Sequence, residues 1–193
     1  MIPHCRFQYC RSVLTFGLEP EHELAIHGAD GIPVETDVAA DGVDVAPGAL
    51  DDYLDATSQR VTRGAVAGAN SRMAEFATIQ LRVADAAACS DAAREVLLRD
   101  LAARVRTANE GAEITVDDRI ISRRGQAFAV SLALRAVDAL NASTGGQGLA
   151  LGNPIQRAWR DANAVGRHVS LNWDSVGAMY GQMALGLEPR GQY

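Results

Sequence analysis

The strongest constraint on the fold is a stripe of apolar residues at helical spacing between residues 73 and 105. Apolar side chains recur there at three- and four-residue steps, as expected for one face of an α-helix. The stripe consists of Met73, Phe76, Ile79, Val83, Ala87, Leu97, Leu101 and Val105. It predicts one long helix that begins near Ser71 and ends at Asn109-Glu110-Gly111, where glycine suits a helix stop. Such a helix buries only one face and must pack against other helices.

Two further segments show the same periodicity on either side of this helix. The first covers about Ala49 to Gly64, with apolar residues again at three- and four-residue steps. The second follows Thr115, a favourable N-cap residue, and runs as far as Leu140. Each segment is long enough to predict a helix that spans a small domain.

A fourth helix is predicted where Asn153, a good cap residue, precedes Pro154 at the first helical position. Its pattern continues to about Leu185, with or without a kink near residues 170–172. Four long antiparallel helices with short connections predict an all-α fold, a four-helix up-and-down bundle over residues 47–193.

The first 46 residues show no lasting periodicity and contain short stretches rich in glycine, proline and aspartate. They predict an irregular N-terminal segment over residues 1–46. Two cysteines and two histidines in it approach the spacing of a zinc finger, which uses four such ligands. These residues are Cys5, Cys10, His22 and His27. Pro20 interrupts the helix that should present His22, so we expect no metal site.

The composition excludes several classes of function. Hydrophobic residues make up 48% of the chain, which supports a packed core, and the net charge of −6 disfavours a nucleic-acid partner. No apolar run approaches the roughly 20 residues that span a bilayer, so we expect no membrane partner. The three cysteines give no disulfide framework, and the first 20 residues lack a secretory h-region. These features predict a cytoplasmic protein.

The most specific pattern lies in residues 143–186. The glycine pair Gly145-Gly146 precedes Pro154-Ile-Gln-Arg-Ala-Trp-Arg-Asp161, then His168, then Asn172-Trp173-Asp174. This order resembles the C-terminal signature of the acyl-CoA dehydrogenase superfamily. Within that superfamily it is most similar to the oxygenase component of two-component flavin-dependent monooxygenases, the 4-hydroxyphenylacetate and steroid-phenol hydroxylase type. A weaker resemblance extends back to about Gly48 and covers most of the chain.

The resemblance implies a flavin-binding role for the loop of Thr144, Gly145, Gly146 and Gln147. Glycine lets backbone N–H groups approach a phosphate without a Cβ in the way. Arg60 matches the family arginine that reaches the flavin phosphate of a neighbouring subunit. Spacing alone leaves two other interpretations open, a tight turn between helices for the loop and a solvated helix-face arginine for Arg60.

His168 occupies the position of the active-site histidine of the flavin-dependent monooxygenases. In those enzymes reduced flavin and O2 form a C4a-hydroperoxide, which transfers one oxygen to an aromatic ring. A histidine near the flavin edge hydrogen-bonds the peroxide or assists deprotonation of a phenol. Without the resemblance, a lone histidine on a helix is more often structural or exposed.

The resemblance also implies the cofactor and the partners. It implies reduced FMN or FAD from a separate flavin reductase, O2 as co-substrate, and a small aromatic, phenolic substrate. It further implies a homo-oligomer, a dimer or a tetramer. Family members carry an N-terminal helical domain and a middle β-domain before the bundle, so we expect the isolated chain to be incomplete as an enzyme.

Two alternatives remain from the sequence. One is a non-catalytic helical bundle that self-associates, and the other is a fragment of an acyl-CoA dehydrogenase. True dehydrogenases of the superfamily often carry a glutamate base at the position that Val169 occupies here. Valine cannot accept a proton, so this position favours the monooxygenase interpretation.

Overall fold

The computed structural model describes residues 35–61 and 71–191, and its regular secondary structure is helical. Five α-helices lie in these ranges: α1 (Glu35–Ser58), α2 (Ala77–Asn109), α3 (Val116–Ala142), α4 (Pro154–Gly166) and α5 (Trp173–Ala184). Short 3-10 helices cover Met73–Glu75 and Gly146–Leu149. The prediction of an all-α fold is confirmed. No described helix combines the length and the apolar character that crossing a membrane requires.

The long hairpin of α2 and α3 has the caps that its sequence predicts. Gly111 adopts a φ of 63° just beyond α2, a backbone conformation that favours glycine. Thr115 and Asp118 form a reciprocal capping box at the start of α3. The Thr115 hydroxyl and backbone N–H donate to the Asp118 carboxylate and lower its pKa. Local side-chain chemistry therefore fixes both ends of this connection.

One ion pair and one hydrogen bond show that α2 and α3 run antiparallel. Near the start of α2, Asp85 pairs with Arg135 near the end of α3, at 2.7 Å. Near the end of α2, Arg104 donates to the backbone carbonyl of Asp118 at the start of α3. α3 packs against all four other helices and is the centre of the bundle. Its buried face is rich in alanine, which lets the neighbouring helices approach closely.

The prediction of an irregular segment up to residue 46 is wrong for residues 35–46, because α1 begins at Glu35 rather than near Ala49. Ala39, Val43 and Ala46 are buried there at helical spacing. Packing of this face outweighs the poor helix propensity of the aspartate, glycine and proline in the segment. The predicted end at Gly64 is also wrong, since α1 ends at Ser58. Residues 1–34, with the cysteines and histidines of the zinc-like spacing, lie outside the described residues.

The predicted fourth helix is two helices. α4 ends at Gly166 and α5 begins at Trp173, so the helix is interrupted in the region where the sequence allowed a kink. The carbonyl of His168 accepts hydrogen bonds from the backbone N–H groups of Leu171 and Asn172, both at 2.9 Å. The Asn172 side chain then caps α5. These local bonds stabilise a turn, so the described part of the bundle has five helices instead of four.

The exposed face of α1 is acidic, and α1 contains no basic residue. Burial, together with the nearby carboxylates of Asp55 and Asp51, raises the pKa of Asp52. A carboxylate with a raised folded-state pKa opposes folding when ionised, and protonation at acid pH removes this opposition.

We therefore expect Asp52→Asn to raise the free energy of unfolding at pH 7 by about 0.2–0.5 kcal/mol, a small effect because water screens the charges. Urea unfolding at pH 7 and at pH 3 measures it. The difference between the two proteins should vanish at the lower pH, where Asp52 of the parent chain is protonated. An equal difference at both pH values would contradict this explanation.

Candidate functional site

Arg60 and the glycine loop, which are far apart in the sequence, meet in the structure. One terminal nitrogen of Arg60, Nη1, donates a hydrogen bond to the carbonyl oxygen of Thr144 at 3.0 Å. The two residues are separated by 84 positions in the chain. The structure thus brings together two of the segments for which the resemblance implies a flavin-binding role.

The backbone of Arg60 is held on both sides. Its N–H donates to the Thr57 carbonyl at 3.1 Å, and its own carbonyl accepts from the Met73 N–H at 2.7 Å. Thr57 is buried at the end of α1. Val61, the residue after Arg60, forms an isolated β-bridge with Arg72. The base of the arginine is therefore fixed to α1 and to the turn before α2, while its side chain reaches the loop.

The loop between α3 and α4 is a tight turn. Gly145 has a φ of 70° and a ψ of −165°, a conformation that residues with a Cβ rarely adopt. Its carbonyl accepts a hydrogen bond from the Gly148 N–H at 2.9 Å. A Cβ on Gly146 would meet no atom within 4 Å, so this part of the loop presents bare backbone to open space.

The Arg60 guanidinium lies beside this bare backbone. A Cβ built on Gly145 would have Arg60 Nη2 as its nearest neighbouring atom, at 3.9 Å. A guanidinium has five N–H donors, and the bond to Thr144 uses one of them. Among the described residues only Thr144 is bonded to this exposed guanidinium. A guanidinium next to backbone without side chains suits binding of a phosphate or another anion.

His168 lies in the turn between α4 and α5, and its side chain is exposed. Its ring nitrogen Nδ1 accepts a hydrogen bond from the Ser170 backbone N–H at 3.4 Å. With Nδ1 as an acceptor, the proton of the neutral ring is on Nε2. Buried Ser170 and Leu171 anchor the turn that carries the histidine. The exposed nitrogen is therefore a hydrogen-bond donor.

The histidine and the glycine loop lie at opposite ends of α4. This helix has 13 residues, about 20 Å at 1.5 Å per residue. The loop precedes Pro154 at its start, and His168 follows Gly166 at its end. The structure therefore does not bring His168 into contact with Arg60 or the loop.

An aromatic surface that sequence reasoning missed lies next to the histidine turn. The rings of Phe128 and Trp173 pack with centroids 5.5 Å apart, and both residues are more than two-fifths exposed, at 42% and 43%. Arg124 lies over the Tyr180 ring, 4.2 Å from its centroid. Phe128 belongs to an apolar helix pattern that predicts burial, so spacing gave no signal that it would be exposed.

The remaining residues of the 143–186 pattern have structural contacts. Arg157 and Asp161, one turn apart on α4, form an exposed ion pair at 3.6 Å. The Trp159 indole N–H donates to Asp138 on α3 at 2.5 Å, and its ring packs against the core. The Trp159 contact attaches α4 to α3.

Comparison with known proteins gives consistent results. Residues 38–173 match the family model for the acyl-CoA dehydrogenase, C-terminal domain. The FADH(2)-dependent resorcinol hydroxylase, oxygenase component, of Rhizobium sp. (strain MTP-10005) is 65% identical over 84% of this chain and 40% of its own length. The flavin-dependent monooxygenase, oxygenase subunit HsaA, of Rhodococcus jostii (strain RHA1) is 34% identical over 79% of this chain and 39% of its own.

Among solved structures, XiaF from Streptomyces sp. in complex with FADH2 and glycerol superimposes with a TM-score of 0.72 at 26% identity. The alignment covers 82% of this chain and 39% of that one. The chain spans about two-fifths of the length of the relatives that it matches.

Proposed function

Because the chain belongs to the acyl-CoA dehydrogenase C-terminal domain family, we propose that it supplies the phosphate-binding loop and the histidine of a reduced-flavin-dependent monooxygenase. The enzyme would hydroxylate a small phenolic substrate, with O2 as co-substrate and a separate reductase as the source of reduced flavin. The names of the relatives, an oxygenase component of a resorcinol hydroxylase and an oxygenase subunit, support this class of reaction.

The observation that carries the proposal is the hydrogen bond between Arg60 and Thr144. It holds the Arg60 guanidinium beside Gly145, and the neighbouring Gly146 presents bare backbone to open space. These groups would bind the phosphate of the flavin through charge-assisted hydrogen bonds. Gln147, exposed at the same loop, would contribute a further polar contact. When bound, the reduced flavin supplies the electrons that activate O2.

For His168 the proposed role is donation of a hydrogen bond from Nε2. The Ser170 N–H occupies Nδ1, so the neutral ring has a donor rather than an acceptor on its exposed side. A donor can bind an oxygen atom that gains negative charge during oxygen transfer. Of the two roles that the resemblance allows, this contact favours hydrogen bonding to the reacting oxygen over removal of the phenol proton.

The names FADH(2) and FADH2 in two relatives support FAD over FMN as the cofactor. FMN and FAD share the ribityl chain that joins the flavin ring to its phosphate, so the distance between the loop and His168 favours neither. A homo-oligomer in which one copy contributes the loop and another contributes the histidine would bring both to a single flavin. A cytoplasmic location, where the reductase would be present, stays a prediction.

Arg60→Ala tests the proposal. Loss of hydrogen bonds to a charged group costs about 1.5–3 kcal/mol, which corresponds to a rise of roughly 10- to 150-fold in the Kd for reduced FAD. Anaerobic titration measures the Kd, with the chain alone and with the N-terminal portion of the Rhizobium resorcinol hydroxylase supplied in trans. Arg157→Ala is the matched control, because it removes an exposed arginine from α4 and should leave the Kd unchanged.

Two outcomes would contradict the proposal. Failure of the parent chain to bind reduced FAD in either format would remove the flavin-binding function. Equal affinities of Arg60→Ala and the parent chain would show that Arg60 is a solvated surface arginine and that the loop is a simple turn.

A further inference from the structure

The side chain of Thr144 points into the protein beneath the glycine loop. Thr144 is only 6% exposed, and its hydroxyl donates to the Asn141 carbonyl at 2.6 Å. Its backbone N–H donates to the same carbonyl at 3.1 Å. The hydroxyl is therefore bonded inside the turn. The Thr144 carbonyl is the group of this residue that contacts Arg60, from which it accepts a hydrogen bond.

Gly148 makes room for this side chain. A Cβ on Gly148 would lie 1.5 Å from Thr144 Oγ1 and 2.5 Å from Thr144 Cβ. The backbone of Gly148 does not have a positive φ, in contrast to that of Gly145. Glycine is therefore required at position 148 by space and not by conformation. An alanine there must displace the threonine on which the Arg60 contact depends.

We infer that Thr144 and Gly148 form a positioning pair that orients the Arg60 guanidinium for binding of a phosphate group. Neither the Thr144 side chain nor Gly148 touches the ligand. The buried Thr144 hydroxyl sets the direction of the Thr144 carbonyl, that carbonyl holds one Arg60 N–H, and the other donors then face the open side of the loop. This inference rests on the proposed function, because the anion that Arg60 would bind is the flavin phosphate.

The first test is a double-mutant cycle on the Kd for reduced FAD. Gly148→Ala and Thr144→Val should each raise the Kd by about 3- to 10-fold, the effect of losing one oriented hydrogen bond. Thr144→Ser, which keeps the hydroxyl, should restore most of the affinity. Gly152→Ala is the matched control, since a Cβ there meets no atom within 4 Å.

The cycle separates positioning from general damage to the loop. If the pair acts through Arg60, neither Gly148→Ala nor Thr144→Val should raise the Kd further in an Arg60→Ala background. Riboflavin, which lacks a phosphate, should bind all variants equally. Additive effects with Arg60→Ala, or an equal loss of riboflavin affinity, would overturn the inference.

A second readout requires no flavin and remains decisive if the proposed function fails. The Nε–H signal of Arg60 in a ¹⁵N-edited NMR spectrum is assigned by its loss in Arg60→Ala. We expect Gly148→Ala and Thr144→Val to shift this signal and to speed its exchange with water, whereas Thr144→Ser and Gly152→Ala leave it in place. An unchanged Arg60 signal in Thr144→Val, which is close to threonine in size, would overturn the inference even if Gly148→Ala does not fold.

Discussion

His168→Ala is expected to slow hydroxylation by about 10²- to 10³-fold, the effect of losing a donor to an oxygen that gains charge, while the Kd for reduced flavin changes little. The reason is that the His168 ring presents an Nε2–H donor at the end of α4 opposite to the phosphate-binding loop. Removal of this donor should affect the oxygen-transfer step and leave the contacts of Arg60 intact. Single-turnover mixing of the reduced-flavin complex with O2 and a phenol measures the rate of that step.

The matched variants for this prediction are His168→Gln and Val169→Ala. Glutamine keeps a side-chain N–H donor and should recover part of the rate, whereas a role as a base would not be rescued. Val169 is the adjacent residue and is 65% exposed, so its truncation controls for disturbance of the turn. Unchanged turnover in His168→Ala would contradict the assignment, and full loss in Val169→Ala would show that the turn rather than the imidazole matters.

Tyr53→Ala is expected to lower the free energy of unfolding by about 3–5 kcal/mol, as truncation of a buried aromatic residue does. Tyr53 is fully buried in the core cluster that also contains Leu140 and Ile155. Thr57, one turn later on α1, precedes the segment that holds Arg60. Loss of this anchor should therefore also loosen the arginine. Urea unfolding, monitored by circular dichroism, measures the change.

Tyr53→Phe is the control, and it should not lower the free energy of unfolding. The Tyr53 hydroxyl is buried and has no hydrogen-bond partner within the described ranges. Its removal should leave the free energy of unfolding unchanged or raise it by up to about 1 kcal/mol, because an unpaired buried polar group is costly. Destabilisation of Tyr53→Phe by more than about 1 kcal/mol would contradict this account of the core.

The elements with strong local signals could be predicted from the sequence. The N-cap residue Thr115 and the glycine stop at Gly111 predicted the α2–α3 connection, because the residues that satisfy helix ends are local. The first half of α1 could not be predicted, since the burial that stabilises it comes from distant helices. The separation of α4 from α5 was visible only as a possible kink before Asn172.

The candidate site was predictable in its residues but not in its arrangement. Arg60 and the loop were recognised through the family resemblance, and the match over residues 38–173 confirms that family. Their contact joins residues far apart in the chain, which no local pattern reports. Gly148 was missed because spacing in a loop does not reveal which side chain a glycine faces. The relatives named as hydroxylase or monooxygenase components do not favour the alternative of a dehydrogenase fragment.

The most direct test of the central claim is a map of the flavin contacts on the ¹⁵N-labelled chain. We expect addition of reduced FAD under anaerobic conditions to shift the backbone amide signals of Gly145, Gly146 and Gln147 and the Nε–H signal of Arg60, and riboflavin to leave them in place. Shifts confined to another surface of the bundle, or identical shifts with riboflavin, would contradict a phosphate-binding role for the loop and Arg60.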